Sequence, residues 1–328
     1  MNHLSLQRIL NSNLLKSLTF KFESLAKSDE LLNMAKSVAL SVFCLPILGI
    51  FLFCNNSSYS FAKSEDFRVM SFNIRLASAN DGDNSWNFRK ETLLAEIQEN
   101  DPLLLGVQEA QWIQMTFLSK NLTNYDFIGV GRDDGQKGGE FSAIFYKKDA
   151  LTVLDSGTFW LSEKPEKAGV KGWDAACNRV VSWGKFQCRE TDKVFLFANT
   201  HFDHIGQTAR VESAKLIQRW RNENFADIPF IISGDFNITD KNEAYQILIS
   251  DFENAKALKD SRKIAESTDW EEERTFHNFG KIPAKKADII DFIFVSDFIV
   301  VKKFKISPVK RDGRYPSDHC SIIATIAL

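Results

Sequence analysis

The feature that most constrains the fold of this chain is a series of short apolar segments with polar, chemically active residues at their ends. One carboxylate after a strand-like run is ordinary, but six such places in succession are not. In chain order the polar groups are Asn73, Glu109, His201 with Asp203, Asp235 with Asn237, Asp291, and Asp318 with His319. Together they would bring carboxylates, amides and imidazoles to one edge of a sheet. These groups bind hard divalent cations and transfer protons, so the series predicts a hydrolytic metal site.

The order of strand-like and helix-like segments predicts an α/β fold. Strand-like runs occupy residues 67–72, 103–107, 141–146, 151–160, 179–188, 194–199, 229–232, 289–295 and 321–327. Helical periodicity occupies residues 89–100, 112–122, 208–222 and 243–249. Many strands with few helices between them do not fit a repeated strand–helix–strand unit. The pattern predicts two mixed, mainly antiparallel β-sheets packed face to face, with helices on the outside.

Composition and charge limit the domain count and the class of protein. The chain has 328 residues, of which 44% are hydrophobic and 26% are charged, as in ordinary globular proteins. No linker-like stretch follows residue 65 and no repeat is found, so residues 63–328 are interpreted as one catalytic domain. A formal net charge of -2 excludes a strongly basic protein that binds nucleic acid through charge alone. A nuclease with a local basic patch stays open, and a monomer without a protein partner is expected.

An apolar segment near the N-terminus resembles a secretory signal. Residues 37–54 carry no charge and follow Lys36, and the small-x-small sequence Ser-Phe-Ala stands at 60–62. A basic start, an apolar centre and a cleavage site are the three parts of a signal peptide. Export, to the periplasm or to the outside, is therefore predicted.

Two features of this N-terminal region are open to different interpretations. Signals usually begin within a few residues of the apolar segment, so translation is expected to start at Met34, with residues 1–36 as an N-terminal extension. Residues 37–62 are interpreted as a cleaved signal peptide. The alternative is an uncleaved signal-anchor, because about 18 apolar residues can just span a bilayer.

Three cysteines lie beyond the apolar segment, and none has metal-type spacing. Cys177 and Cys188 could form a bridge in an oxidising compartment. The alternative is a buried thiol at Cys188, which lies in a strand-like run. The remaining cysteines are odd in number, so they cannot all pair with one another.

The carboxylates and amides of the series each have a functional and a structural interpretation. Glu109 follows a run of apolar residues, so it lies at a strand end or is buried, and a buried unpaired carboxylate is costly. Asp235 and Asn237 are two residues apart and would point the same way in extended backbone. The structural alternatives are a salt-bridged Glu109 and turn roles for Asn73 and the Asp235–Asn237 pair.

The imidazoles of the series lie beside acidic residues. His201 and Asp203 are two residues apart, and His204 adds a second imidazole. The chain has only five histidines, so their placement at strand ends is informative. Asp318 and His319 are adjacent, and adjacent side chains of a strand diverge, so Asp318 can serve another partner.

Taken together, these residues resemble the motif set of the endonuclease/exonuclease/phosphatase superfamily, over residues 66–327. The matching segments are 72–75, 108–109, 199–203, 234–237, 290–294 and 317–319. The segments 81–86, 129–135, 139–146, 157–162 and 172–177 are similar to a mainly bacterial and fungal subgroup of metal-dependent hydrolases. The resemblance implies a four-layer α/β sandwich with the site at one edge of the two sheets.

The resemblance also implies a metal ion. Asn73 and Glu109 would hold Mg²⁺ or Mn²⁺, with Asp318 acting through water. Mg²⁺ usually takes one or two protein carboxylates and keeps several waters, so this small ligand set is sufficient.

The same resemblance implies roles for five further residues. Asp235 and Asn237 would position and activate the attacking water and contact the phosphate. His201 and His319 would bind the scissile phosphate or transfer protons. Asp291 would polarise one of the two imidazoles.

A third set of residues is expected to contact the substrate around the catalytic groups. Its members are Asp203, His204, Arg132, Arg179, Arg210 and Trp173. Solvated surface positions for the arginines and core packing for the tryptophan are the alternatives.

The sequence thus predicts an exported divalent-metal-dependent hydrolase of phosphate esters, most simply a phosphodiesterase. Its substrate could be a nucleic acid, a lipid head group or a sugar phosphate. The alternative is a binding module with the same fold and no turnover.

Overall fold

The computed structural model describes residues 66–270, 273–283 and 288–328. The helices are α1 (Trp86–Asn100), α2 (Trp112–Asn121), α3 (Gln207–Phe225), α4 (Glu243–Leu248) and α5 (Ser261–Ile264). The strands are β1 (Phe67–Asn73), β2 (Leu104–Gln111), β3 (Tyr125–Ile128), β4 (Glu140–Lys147), β5 (Leu151–Trp160), β6 (Val180–Cys188), β7 (Val194–His201), β8 (Phe230–Asp235), β9 (Lys259–Asp260), β10 (Ser267–Asp269), β11 (Asp291–Val295), β12 (Val300–Ser307) and β13 (Ser321–Ala327).

These strands form two sheets. The seven-stranded sheet has the order β10-β12-β13-β1-β2-β4-β3, and the six-stranded sheet has the order β5-β6-β7-β8-β11-β9. The pairs β1–β2, β7–β8 and β10–β12 are parallel, and the other neighbouring pairs are antiparallel. The prediction of two mixed, mainly antiparallel sheets is confirmed.

Three apolar layers hold the sheets and helices together. Val69 of β1 and Phe197 of β7 belong to the cluster between the sheets. Met70 and Leu196, one residue along each strand, point to the opposite faces, because strand side chains alternate. Helices α1 and α2 cover the outer face of the seven-stranded sheet, and α3 and α4 cover that of the six-stranded sheet. The order of layers is therefore helix, sheet, sheet, helix, as expected.

A buried polar network joins the two sheets next to the edge that carries the site residues. Asn199 Nδ2 donates to the carbonyl of Val107, and Gln108 Nε2 donates to Asn199 Oδ1 at 2.7 Å. Ser233 Oγ donates to the same oxygen at 3.0 Å. A Cβ at Gly106 would lie 2.3 Å from Ser233 Oγ, so only glycine permits this close approach. Buried hydrogen bonds of this kind fix how β2 sits against β7 and β8.

The apolar pattern missed several short strands and one long one. Strand β12 was not predicted, although Val301, Phe304 and Ile306 are buried. Its register against β13 shifts between Val301 and Lys303, so a bulge breaks the period-two alternation that marks a strand. The lysines between the buried residues also make the segment too polar to be identified as a strand from its apolar residues.

Two further expectations concern the N-terminus and the cysteines. No helix in the described ranges is both long and apolar enough to cross a bilayer. The N-terminal extension and the signal or anchor segment, residues 1–62, lie outside the described residues. Cys177 and Cys188 do not form a disulfide with each other, so the expected bridge is not seen.

Candidate active site

Three site residues lie side by side at one edge of the six-stranded sheet. Strands β7 and β8 run parallel and end at His201 and Asp235, which are partners in the register. Strand β11 runs antiparallel to β8 and begins at Asp291, opposite Asp235. Because an antiparallel strand begins where its neighbour ends, all three residues reach the same edge. Strand direction, which an apolar pattern does not contain, brings them together.

Glu109 reaches this edge from the seven-stranded sheet through a β-bulge. The register of β2 against β4 shifts between Val107 and Ala110, and Glu109 has a φ of 59°. A bulge of this kind re-aims a side chain out of the strand alternation. The prediction that the strand ends at Val107 was wrong, because β2 continues to Gln111.

The Asn73 amide joins the two sheets at the site. Its Nδ2 donates to Glu109 Oε1 at 3.0 Å and to Asp235 Oδ2 at 2.9 Å. Its Oδ1 accepts from the backbone N–H of Arg75 at 3.0 Å. Asn73 therefore holds two carboxylates through one NH₂ group, and it would bind a metal through its oxygen only after the amide turned.

His319 is paired with Asp291 and not with its sequence neighbour Asp318. His319 Nδ1 lies 2.9 Å from Asp291 Oδ2, and His319 Nε2 lies 3.8 Å from Asp235 Oδ2. Burial lowers the pKa of His319, but the charge and hydrogen bond of Asp291, followed by the charges of Asp235 and Asp318, raise it to about 10. His319 is therefore an imidazolium at neutral pH.

Asp235 is buried among these groups. Burial raises its pKa and the charge of Asp291 raises it further, while His319 and the Asn73 amide lower it, and the pKa is about 7. This carboxyl group can therefore change its charge near neutral pH, as a proton acceptor must.

His201 and Asn237 lie on the other side of Asp235. His201 Nε2 lies 3.5 Å from Asp235 Oδ2 and 3.1 Å from Asn237 Nδ2. Burial, followed by the charge of Arg179, places the pKa of His201 well below its usual value, so this imidazole is neutral. Asn237 has a φ of 49°, so the extended backbone assumed for Asp235 and Asn237 was wrong. The backbone N–H of Asn237 instead turns back to Asp235 Oδ1 at 3.0 Å.

The motif series omitted a role for Arg75, which lies between two of its carboxylates. Its Nε is 3.7 Å from Asp318 Oδ2, and its Nη1 is 4.0 Å from Glu109 Oε2. Both oxygens of Asp81 accept from the same guanidinium at 3.0 and 3.1 Å. Burial raises the pKa of Asp318. Arg75 stands inside the segment 72–75 that carries the resemblance, which is the only sequence signal for it.

Three groups of potential metal ligands occur among the described residues, each with donor atoms within 4.8 Å of one another. They are Cys177, Asp203 and His204; Asp235, Asp291 and His319; and Glu109, His201 and Asp235. In the first group, Arg179 Nε lies 3.3 Å from Asp203 Oδ2, and Arg179 Nη2 lies 2.9 Å from His204 Nδ1. A guanidinium bound to two of the three ligands opposes a cation there.

The charges of the groups in the other two clusters also decide which of them suits a cation. In the cluster with Asp291, the imidazolium of His319 opposes a cation. In the cluster with Glu109, His201 is neutral and the ligands are two carboxylates and an imidazole. Carboxylate oxygens with open positions for water fit Mg²⁺ or Mn²⁺. Of the three groups among the described residues, the one that contains Glu109 therefore fits a divalent metal best.

The residues expected to contact substrate are held in two polar networks beside His201. The Asp203 carboxylate accepts from the backbone N–H groups of Gly206 and Ile205 at 2.8 and 3.0 Å, besides Arg179. Although burial raises the pKa of Asp203, these bonds lower it more, so the carboxylate is charged and shapes the loop. Arg210 Nη1 donates to the Asp203 carbonyl at 2.9 Å.

The second network contains Arg132, Glu140 and Trp160. Arg132 Nη2 binds Glu140 Oε1 at 2.8 Å, and Trp160 Nε1 donates to the Arg132 carbonyl at 2.7 Å. Trp173 is partly buried against the core of the six-stranded sheet, with a φ of 47°. The next residue, Asp174, accepts from the first N–H groups of α3. Glu140 was not anticipated from the sequence.

A four-layer α/β sandwich with carboxylates and imidazoles at one sheet edge is typical of a class of phosphoester hydrolases. The model of the Endonuclease/Exonuclease/phosphatase family matches residues 70–319. The chain belongs to this family, and it is a phosphoester hydrolase by that membership.

Two solved structures and two sequence relatives show how far the similarity extends. An endonuclease/exonuclease/phosphatase from Bacteroides vulgatus is 40% identical, with a TM-score of 0.77, over 80% of this chain and 99% of that one. A mannosyl-6-phosphatase from Bacteroides thetaiotaomicron is 36% identical, with a TM-score of 0.73, over 80% of this chain and 100% of that one. Nocturnin from Xenopus laevis is 25% identical, over 83% of this chain and 75% of that protein. A 25% identical mimivirus protein is matched over 60% of its length.

Proposed function

We propose that this protein is an exported, divalent-metal-dependent phosphodiesterase that directs an activated water at phosphorus and acts as a monomer. The observation that carries the proposal is the pair of imidazoles on either side of Asp235. Their environments push the two pKa values in opposite directions, which leaves His201 neutral and His319 charged. Groups whose pKa values are separated in this way are suited to different steps of one reaction.

The metal would be held by Glu109, with Asn73 beside it and with Asp318 acting through water, which leaves the Asp235 carboxylate available as the proton acceptor. A bound divalent cation would neutralise the non-bridging oxygens of the phosphate and so make an anionic phosphorus open to attack. The buried Asn73 amide keeps the Glu109 carboxylate, which would bind the metal, next to the Asp235 carboxylate, which would accept the proton, because it donates to both of them.

The chain itself supplies the proton transfers. Asp235 accepts a proton from the attacking water, whose oxygen forms the new bond to phosphorus. Asn237 orients Asp235 and His201 through its backbone N–H and its amide. His319, kept protonated by Asp291, donates to the phosphoryl group and protonates the leaving oxygen as its bond to phosphorus breaks. The Asp235 proton then passes to solvent, and His319 regains one.

A phosphomonoester of a sugar is the second candidate substrate. The similarity to the mannosyl-6-phosphatase supports it, because that match covers the whole of the other chain at 36% identity. The guanidinium groups of Arg132 and Arg179 beside His201 would also suit a doubly charged monoester. Nucleic acid and lipid head groups remain the diester candidates.

A substrate panel tests the proposal. The purified protein is assayed on bis-p-nitrophenyl phosphate, p-nitrophenyl phosphate, mannose 6-phosphate, single-stranded RNA and sphingomyelin, with and without a chelator. Faster hydrolysis of diesters, abolished by the chelator and restored by Mg²⁺, is expected. Glu109→Gln should be inactive, and Glu253→Gln, at an exposed position, is the matched control. Turnover that resists chelation contradicts the metal dependence, and a preference for monoesters favours the second candidate.

A further inference from the structure

Thr275, in the segment before β11, binds the backbone beside both members of the Asp291–His319 pair. Its side chain is fully buried, and its hydroxyl oxygen accepts from two successive backbone N–H groups, those of Ile290 at 3.0 Å and Asp291 at 3.1 Å. Its carbonyl accepts from the backbone N–H of Cys320, the residue after His319, at 2.6 Å. A single buried residue therefore ties the start of β11 to the strand end that carries His319.

The hydroxyl of Thr275 takes the place of a strand neighbour at the start of β11. Strand β8 pairs with β11 from Asp291 onward, but β9, on the other side, pairs with it only at Phe294 and Val295. Among the described residues, no strand continues that side of β11 as far as Asp291. A buried backbone N–H that lacked an acceptor there would be costly, and the Thr275 hydroxyl supplies the acceptor.

The Asp291 carboxylate has few other contacts that could fix its position. Its Oδ2 lies 2.9 Å from His319 Nδ1, and its Oδ1 is buried without a hydrogen-bond partner among the described residues. The backbone at Asp291 therefore decides where this carboxylate points. Phe276, the residue after Thr275, packs against the His319 ring with 4.9 Å between the ring centroids. The position of both side chains thus depends on the segment that contains Thr275.

We propose that Thr275 is a positioning residue, whose hydroxyl group holds the start of β11 so that the Asp291 carboxylate meets His319. It acts through Asp291 and not by contact with the reacting atoms. Its effect on turnover rests on the proposed role of His319 in hydrolysis, whereas its effect on the geometry of the pair does not. Loss of the hydroxyl should let Asp291 move away from His319, and a misplacement of about 1 Å can cost about a hundredfold in rate.

Proton NMR of the purified protein at neutral pH tests the geometry without measuring activity. The proton between His319 Nδ1 and the Asp291 carboxylate should resonate downfield of the backbone amides, and its loss from His319→Asn assigns it. Thr275→Val, which exchanges the hydroxyl for a methyl group, should lose this resonance or move it upfield, and Thr275→Ser should keep it. Ser296→Ala is the matched control and should keep it, because Ser296 Oγ accepts from the backbone N–H of Phe230 at 2.9 Å beyond the other end of β11.

Kinetics of a double-mutant cycle test the effect on turnover. On the phosphate ester that the wild type hydrolyses fastest, Thr275→Val should lower kcat about ten- to a hundredfold with KM little changed. Thr275→Ser should keep most of the activity. In an Asp291→Asn background the same change to valine should cost little more, because the carboxylate through which Thr275 acts is already lost. A merely structural role would lower the rate equally in both backgrounds.

The outcomes separate this inference from the proposed function. A wild-type spectrum without the downfield resonance, an unchanged resonance in Thr275→Val, or equal kinetic losses with and without Asp291→Asn would overturn the role of Thr275. No hydrolysis of any phosphate ester by the wild type would refute the proposed function, while the NMR spectra would still decide the geometry. A thermal melt checks that each variant folds. If Thr275→Val does not fold, Thr275→Cys replaces it, because sulfur is a weak acceptor.

Discussion

Asp291→Asn should shift the pH dependence of the reaction while the enzyme stays folded. Asp291 accepts the hydrogen bond of His319 Nδ1 at 2.9 Å, and its charge raises the pKa of both His319 and Asp235. Asparagine keeps the size of the side chain and a hydrogen-bonding oxygen but removes the charge. Both titrating groups should therefore lose their protons at lower pH.

The size of the shift follows from the pKa of His319. Burial alone would place that pKa below its ordinary value of 6.5, and the carboxylates raise it to about 10. Without Asp291, which contributes most to the increase, the pKa should fall toward 6.5. At about pH 8 the protonated fraction of His319 then drops from nearly complete to about 3%, so kcat/KM should fall about thirtyfold.

The assay is a profile of kcat/KM from about pH 5 to about pH 10 at saturating Mg²⁺, a range that includes the ordinary pKa of histidine. The wild type should rise with the ionisation of Asp235, near 7, and should stay active to high pH. Asp291→Asn should move both limbs of the profile to lower pH. Asp260→Asn is the control, since it removes another buried carboxylate, bonded to Tyr245. A uniform loss of rate with both limbs in place would refute the acid role of His319.

Four further outcomes are expected. Glu109→Gln should lose most activity, and activity restored by excess Mg²⁺ alone would contradict this. Denaturant titration should also show a loss of about 1–2 kcal/mol of unfolding free energy, because the new NH₂ group would face the N–H donor of Asn73 or of Leu76. His319→Asn should cut turnover by about a hundred- to ten-thousand-fold with the Mg²⁺ concentration for half-activation unchanged. Burial, the largest cause, lowers the pKa of His277 to about 4, so neutral His277 stabilises the fold above its ordinary pKa of 6.5, and this stabilisation is lost as the pH falls through 4. In urea titrations across that pH range, the wild type should lose up to about 3 kcal/mol of unfolding free energy relative to His277→Asn. N-terminal sequencing of protein from the native host should begin near residue 63, whereas a membrane-bound chain retaining residues 37–54 would establish the anchor.

Long, regular elements were predictable because a single period describes them. Strands β5 and β13 have the predicted bounds, and helix α2 ends within a residue of its expected end. Helix α1 begins at Trp86, earlier than predicted, because helix ends depend on caps and contacts more than on apolar spacing. Strand β12 was missed where a bulge interrupts its alternation.

The sequence by itself determined which residues are candidates for the site. The residues of the motif series stand next to apolar runs, and the burial of those runs places the polar residues at or near strand ends. Asn73, Asp235 and Asp291 are therefore identifiable from the sequence, because strands bury their apolar faces whatever their neighbours are.

Only the tertiary structure decided which of these residues are paired and which are charged. Glu109 turns into the site through a bulge that no periodicity contains. His319 is bound to Asp291, 28 residues away, and not to its neighbour Asp318, which faces Arg75. Hydrogen-bond partners and pKa values depend on distances between strands that are remote in the chain and on the exclusion of water. A linear sequence pattern contains neither quantity. Which group is the acid, which is the base and which would bind the metal can therefore be assigned only from the packed fold.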